Sequence, residues 1–358
     1  MTRALTVSID AMGGDAGPGV VVSALLKTIQ RHSDVQFILH GDEALLKPLL
    51  ARQPKLKDRT TVRHAPGRVT MEDKPSHVLR RGKDTSMWHT VNCVKMGDAD
   101  VAISAGNTGA LMAVSMFGLG IIKGISRPAI AVIWPTLKGQ CIVLDVGANV
   151  TASEEQLVDF AVMGEAFAHA VFGLAKPTVG ILNVGSEDQK GNDGVRAAAQ
   201  ILRGSNLPMA FHGFVEGDDI AKGTVDVVVT DGFTGNIALK TAEGTARQVG
   251  TYVRQALSAD FMSRLGALFA GRALNALRTK LDPRTVNGGV FLGLNGMVIK
   301  SHGGTDEIGV KSALGLAYEM TRSHLLDKVS EGMRRFPRTA PGAVAVQVLA
   351  PQPEAKPA

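Results

Sequence analysis

Two cysteines and a 4% aromatic content are the scarcest features of this 358-residue chain, and each scarcity narrows what it can do. Cys93 and Cys141 stand in apolar surroundings without CxxC spacing, which excludes a disulfide framework and fits a reduced compartment; neither reads as a nucleophile. So few rings leave little to stack nucleobases on, and nucleic acid is not an expected partner. No run of about 18 apolar residues is present to span a bilayer. The opening MTRALTVSIDAMGGD runs straight into a strand and lacks the apolar length of a signal peptide, so a cytoplasmic location is expected. The nine histidines are scattered without HExxH or paired-cysteine spacing, so no metal site is expected. Neither a GxGxxG fingerprint nor a GxxxxGKS/T phosphate loop occurs.

What the chain does have is apolar bulk and glycine. Hydrophobic residues make up 45% and glycine numbers 41, enough for one large core or two lobes. The net charge of +6 and pI near 9.3 favour anionic partners, with lysine and arginine spread along the chain rather than clustered. Strand-like runs LTVSID, VQFILHG, ADVAISAG, AIAVIWP, QCIVLDVG, TVGILNVG, MAFHGFVEG and VDVVVTDG alternate with helical segments, the mark of an α/β fold with a mostly parallel sheet. No internal repeat of fixed period is found. A single domain is expected over 1–334, and the Pro- and Ala-rich tail at 335–358 is expected to stay disordered. Residues 246–281 depart from the rhythm: Val253, Leu257, Phe261, Leu265, Leu268 and Phe269 recur near helical spacing among several arginines. Such a basic amphipathic protrusion suits an anionic bilayer, or else packs on the core or a second subunit.

Polar glycine loops follow strands, where helix N-termini and free N–H groups receive anions. In VDVVVTDGFTGNIALKTAEG, Asp231, Thr234 and Asn236 stand at the turn; glycine geometry alone is the plainer alternative. DAMGGDAGPG offers Asp10 with Gly13 and Gly14, which allow close backbone approach. ISAGNTGALMA sets Asn107 and Thr108 at a helix start, as anion donors or simply as caps. LDVGANVTASEEQL carries Asp145 and Asn149. LNVGSEDQKGND places Asn183 and Lys190 in one loop, Lys190 being a phosphate contact or a solvated surface group. Finally GGVFLGLNGMVIKSHGG ends in His302, able to donate a proton near neutral pH.

The ordered series DAMGGD, SAGNTGA, LDVGAN, LNVGSEDQKG, GFVEGDD, DVVVTDGFTGNIALK and GLNGMVIKSHG, covering about residues 5 to 330, resembles the PlsX-type phosphate acyltransferases. Thr85 and Ser86 stand where that family often has paired serines. The resemblance implies a Rossmann-like α/β/α sandwich, related to isocitrate and isopropylmalate dehydrogenases, and a homodimer peripheral on the inner face of the membrane. It implies transfer of a long-chain fatty acyl group from acyl carrier protein to inorganic phosphate for phospholipid synthesis, with no metal or organic cofactor.

Phosphate can itself attack a thioester, so the absence of a Ser-His or Cys-His pair is consistent with that chemistry. Asn107, Thr108, Thr234 and Asn236 are candidates for phosphate and oxyanion binding, with Asp10, Gly13, Gly14, Asn149, Asn183 and Asp231 lining the loops. Lys190 and His302 are candidates for charge neutralisation and thiol protonation. Arg80, Arg81 and Lys83 offer a basic rim for an acidic carrier protein. The competing classes are a nicotinamide-dependent dehydrogenase on a related fold, disfavoured by the missing fingerprint, and a non-catalytic membrane-surface scaffold, which leaves the glycine loops without a purpose.

Overall fold

The computed structural model describes residues 3–335. Eleven strands form one sheet: β1 (Leu5–Asp10), β2 (Val35–Gly41), β3 (Thr60–His64), β4 (Val101–Ser104), β5 (Ala129–Thr136), β6 (Gly139–Leu144), β7 (Thr178–Leu182), β8 (Ala210–Val215), β9 (Val227–Val229), β10 (Gly289–Leu292) and β11 (Met297–Lys300). Their order is β3-β2-β1-β4-β11-β10-β5-β6-β9-β7-β8. Helices on the faces bury a shared core; the helix Glu154–Phe172 is covered without interruption from Leu157 to Ala168. Short β-branched runs such as Val227–Val229 suit strands covered on both faces.

Most pairings are parallel, as the alternation of strands and helices requires. The exceptions lie in the middle. β5 and β6 are joined by a hairpin through Leu137 and Lys138, far too short for a crossover helix, and β10 is antiparallel to both neighbours. The block β6-β9-β7-β8 therefore runs opposite to β3-β2-β1-β4-β11. Even so, strand ends of both blocks meet one row across the sheet. Ile9, Ile103, Ile299, Val290, Ala131, Leu144 and Val229 are successive partners in that row. The chain leaves β1, β4 and β11 just beyond it on one side, and leaves β6 and β9 just beyond it on the other.

The strand Thr60–His64 has little apolar content and lies at the sheet edge, so its pattern escaped the sequence. The helical stretch begins earlier than expected: one helix runs without a break from Gly232 to Ser258, followed by Phe261–Phe269 and Gly271–Leu281. These segments leave Phe261, Met262, Leu268 and Phe269 exposed. Among the described residues no helix is long and apolar enough to cross a membrane. The expected tail lies, from residue 336, outside the described residues.

Candidate active site

β1 ends in Asp10, which is buried, with one carboxylate oxygen accepting from Ser86 Oγ at 2.6 Å and the other from Ser104 Oγ at 2.7 Å. Burial pushes the Asp10 carboxyl up, and these two hydroxyls oppose the rise. The following turn packs closely on its neighbours. A side-chain carbon on Gly13 would sit 2.6 Å from Asp10 Oδ2, and one on Gly14, at φ +83°, would sit 2.7 Å from the Gly303 carbonyl. Asp15 N donates to that same carbonyl at 2.8 Å. The turns after β1, β4 and β11 are thereby welded into one surface.

Asn107 caps the helix Thr108–Leu119 by accepting from Ala110 N, and its amide nitrogen donates to the carbonyls of Thr70, Met71 and Asp73. Its side chain thus serves the protein on both ends, while Thr108 opens the helix beside it.

In the second block, Asp145 is buried, and burial raises its carboxyl against hydrogen bonds from the backbone of Ala148, Ile130 and Asn149 and from the Asn149 side chain. Asn149 also donates to the Pro128 carbonyl. Asp231 caps the long helix by accepting from Thr234 N, and Gly232 N donates to Asn149 O. Thr234 and Asn236 are exposed on the first turn, Asn236 donating to the Val146 carbonyl at 3.2 Å. Asn183 binds Val184 N and the Lys190 carbonyl within its own loop, where the Lys190 side chain is exposed.

The long helix joins the two blocks. Asn236, Lys240, Glu243 and Arg247 follow at helical spacing on one face. Asn236 reaches the turn after β6; one and two turns later Lys240 and Glu243 reach the turn after β11. Lys240 Nζ lies 3.0 Å from Glu243 Oε2 and 3.5 Å from His302 Nδ1, and His302 Nε2 lies 3.0 Å from Glu243 Oε1. Burial pushes the Glu243 carboxyl up, but His302 and then Lys240 outweigh it and hold the group at about 2. Behind them Lys300 ends β11. Burial, then the Lys240 charge, lowers its ammonium to about 8, against the pull of Asp10 and Asp15.

His302, Lys240 and the Asn236 turn are therefore brought along one helix face, whereas Lys190 stands in the separate loop after β7. Lys300, Glu243, Ser86 and Ser104 were missed as site residues. Lys300 had a signal, a charge closing the apolar run MVI before a glycine turn; Glu243 had only its spacing from Asn236. Both cysteines are buried, and burial pushes the Cys141 thiol up to about 12. Among the described residues no group of histidine, cysteine and carboxylate side chains could hold a metal ion.

A family model described as "Fatty acid synthesis protein" matches residues 5–328. A phosphate acyltransferase of Parvibaculum lavamentivorans is 53% identical over 94% of this chain and 93% of its own length. The chain belongs to the phosphate acyltransferase family. It is an acyltransferase, and the turns quoted above are those by which the sequence resembles that family. Among solved structures, a phosphotransacetylase from Streptococcus pyogenes matches with a TM-score of 0.57 at 17% identity, covering 93% of this chain and 95% of that one. A 4-hydroxythreonine-4-phosphate dehydrogenase from Klebsiella pneumoniae matches with a TM-score of 0.53 at 13% identity, covering 90% and 98%. These two show the shared Rossmann-like α/β/α fold of a phosphate acyltransferase family member, and at such identities the fold alone.

Proposed function

We propose that the chain transfers a long-chain fatty acyl group from acyl carrier protein to inorganic phosphate, yielding acyl phosphate and free carrier protein for phosphatidic acid synthesis. A phosphate oxygen bonds to the thioester carbonyl carbon, the C–S bond breaks, and the pantetheine thiolate leaves and takes a proton. The observation that carries this is the cluster of Lys240, His302 and Lys300 at turns that offer no activated nucleophile of their own. Cations suit a dianionic nucleophile and an oxyanion, and direct attack needs no acyl-enzyme.

In this scheme Asn236 and Thr234, with the backbone N–H groups of the helix start, hold the oxyanion. His302 neutralises charge and protonates the leaving thiol. Exposed Arg80, Arg81 and Lys83 form the basic rim for the acidic carrier protein. The exposed Phe261, Met262, Leu268 and Phe269 support peripheral contact with an anionic membrane from the cytoplasmic side or burial in a homodimer.

The test is release of carrier-protein thiol from palmitoyl carrier protein by purified chain, with hydroxylamine trapping of product. Release that depends on phosphate and gives trappable acyl phosphate is expected. Folded protein without turnover, yet raised in melting temperature by NAD, would move the dehydrogenase reading into first place.

A further inference from the structure

Lys300 closes a central strand, paired with Ser104 on one side and Gly289 on the other. An ammonium in that position loses much of its water, which disfavours its charged form. Its Nζ donates to the carbonyls of Ser301 and Ala105, the latter at 3.5 Å. Among the described residues no carboxylate lies within ion-pair distance of it. Asp10 at the end of β1 and Asp15 in the turn after it favour its charge, but Asp10 has engaged both oxygens with Ser86 and Ser104. Lys240 faces it from the long helix and opposes its charge.

Lys240 is held there. Glu243 fixes its Nζ through one oxygen and binds His302 through the other, so the helix and the β11 turn lock the ammonium in place. The fold thus brings two like charges within electrostatic reach of each other, Lys240 paired with Glu243 and Lys300 with no ion-pair partner among the described residues. Such an arrangement costs free energy that a dianion seated between the two ammonium groups would offset.

We propose that Lys300 and Lys240 form a paired-lysine seat for the phosphate nucleophile, with Glu243 as a positioning residue that holds Lys240 and does not touch the ligand. The seat rests on the reading that phosphate is a substrate. Lys300 keeps its proton throughout; it neutralises phosphate while the C–O bond forms and the C–S bond breaks. A lysine that titrates near 8 makes the seat weaken as pH rises.

The experiment uses the full chain with inorganic phosphate as probe and no acyl donor, followed by calorimetry and thermal shift, with sulfate as an anion of constant charge. Lys300→Met is expected to weaken phosphate about tenfold or more, as loss of a charge-assisted contact does, while Lys300→Arg keeps most of the affinity. Sulfate affinity should fall through about pH 8 in the native chain and stay flat in Lys300→Arg. In turnover, Lys300→Met should raise the KM for phosphate and leave that for carrier protein unchanged. A folded Lys300→Met chain with native phosphate affinity overturns the seat. If that variant does not fold, Lys240→Met carries the same test, and unchanged affinity there overturns it equally. Lys300-dependent phosphate binding without turnover of palmitoyl carrier protein would sink the transferase reading and leave the seat standing. Turnover with an unchanged phosphate KM in Lys300→Met would do the reverse.

Discussion

Glu243 Oε1 lies 3.0 Å from His302 Nε2, so a helix that starts at one half of the sheet is tied to the turn that closes the other. The same carboxylate holds Lys240 at 3.0 Å. Removing it frees both side chains. Glu243→Gln keeps the shape and removes the charge, and should lower kcat by about tenfold, because misplacing a positioned group costs one to two orders of magnitude. Glu243→Asp should recover part of the loss. Native rates in a folded Gln variant would leave this carboxylate a purely structural role.

The same residue makes a pH prediction. Glu243 is held at about 2, below its usual 4.5, so its pairing stabilises the fold above the usual value. That contribution is lost as pH falls from about 4.5 through 2. Acid unfolding of Glu243→Gln followed by circular dichroism should run closer to the native chain at pH 2 than at pH 6. A constant gap across that window would exclude the linkage.

Lys300 has the opposite sign. Its folded value is about 8, whereas an unfolded lysine titrates near ~10.4. Between the two the unfolded chain holds more protons, so stability from this group rises with pH, and below about 8 the native state carries the full cost of the half-buried ammonium. Lys300→Met should therefore melt higher than the native chain at pH 7 in phosphate-free buffer, with the gain vanishing near pH ~10.4. A lower melting temperature at pH 7 would mean that the hydrogen bonds to Ser301 and Ala105 outweigh burial.

Gly235 docks the long helix onto the turn after β6. A side-chain carbon there would sit 1.9 Å from the Asp145 carbonyl oxygen. Gly235→Ala must push the helix start away, at a cost of roughly 1–3 kcal/mol or more. Because Asn236, Lys240 and Glu243 ride on that helix, activity should fall further than the loss of folded protein explains. Denaturant midpoints with rates per folded molecule check this, and a normal specific activity would refute it.

Asn236 donates to the Val146 carbonyl at 3.2 Å and is exposed. Asn236→Ala should change stability by about 1 kcal/mol or less. If its amide faces the developing oxyanion, kcat drops about 10²-fold or more. Unaltered turnover removes it from the site.

Asn107 gives the contrasting case, since its amide caps one helix and ties down the carbonyls of Thr70, Met71 and Asp73. Asn107→Ala should destabilise by about 1–2 kcal/mol through the lost cap, with specific activity per folded molecule nearly kept. A stable but inactive variant would return Asn107 to the chemistry.

Local patterns carried far in this chain. Strand runs, glycine turns after them and helix starts are all consequences of short-range sterics and periodicity, so the sequence alone determined an α/β sheet and the loops at its strand ends. It also supplied the family, through the ordered series of turns. Direction and convergence are another matter. The hairpin at Leu137–Lys138 reverses half the sheet, yet the strand runs on either side look like parallel neighbours, because residue type scarcely encodes strand sense. Lys300 was one charge among 39 basic residues until the sheet half-buried it. Glu243 sits in a helix pattern that any surface carboxylate would satisfy. Only the tertiary structure places His302 against Glu243, 59 positions apart in sequence, since such contacts depend on where a helix begins and which row of the sheet it crosses.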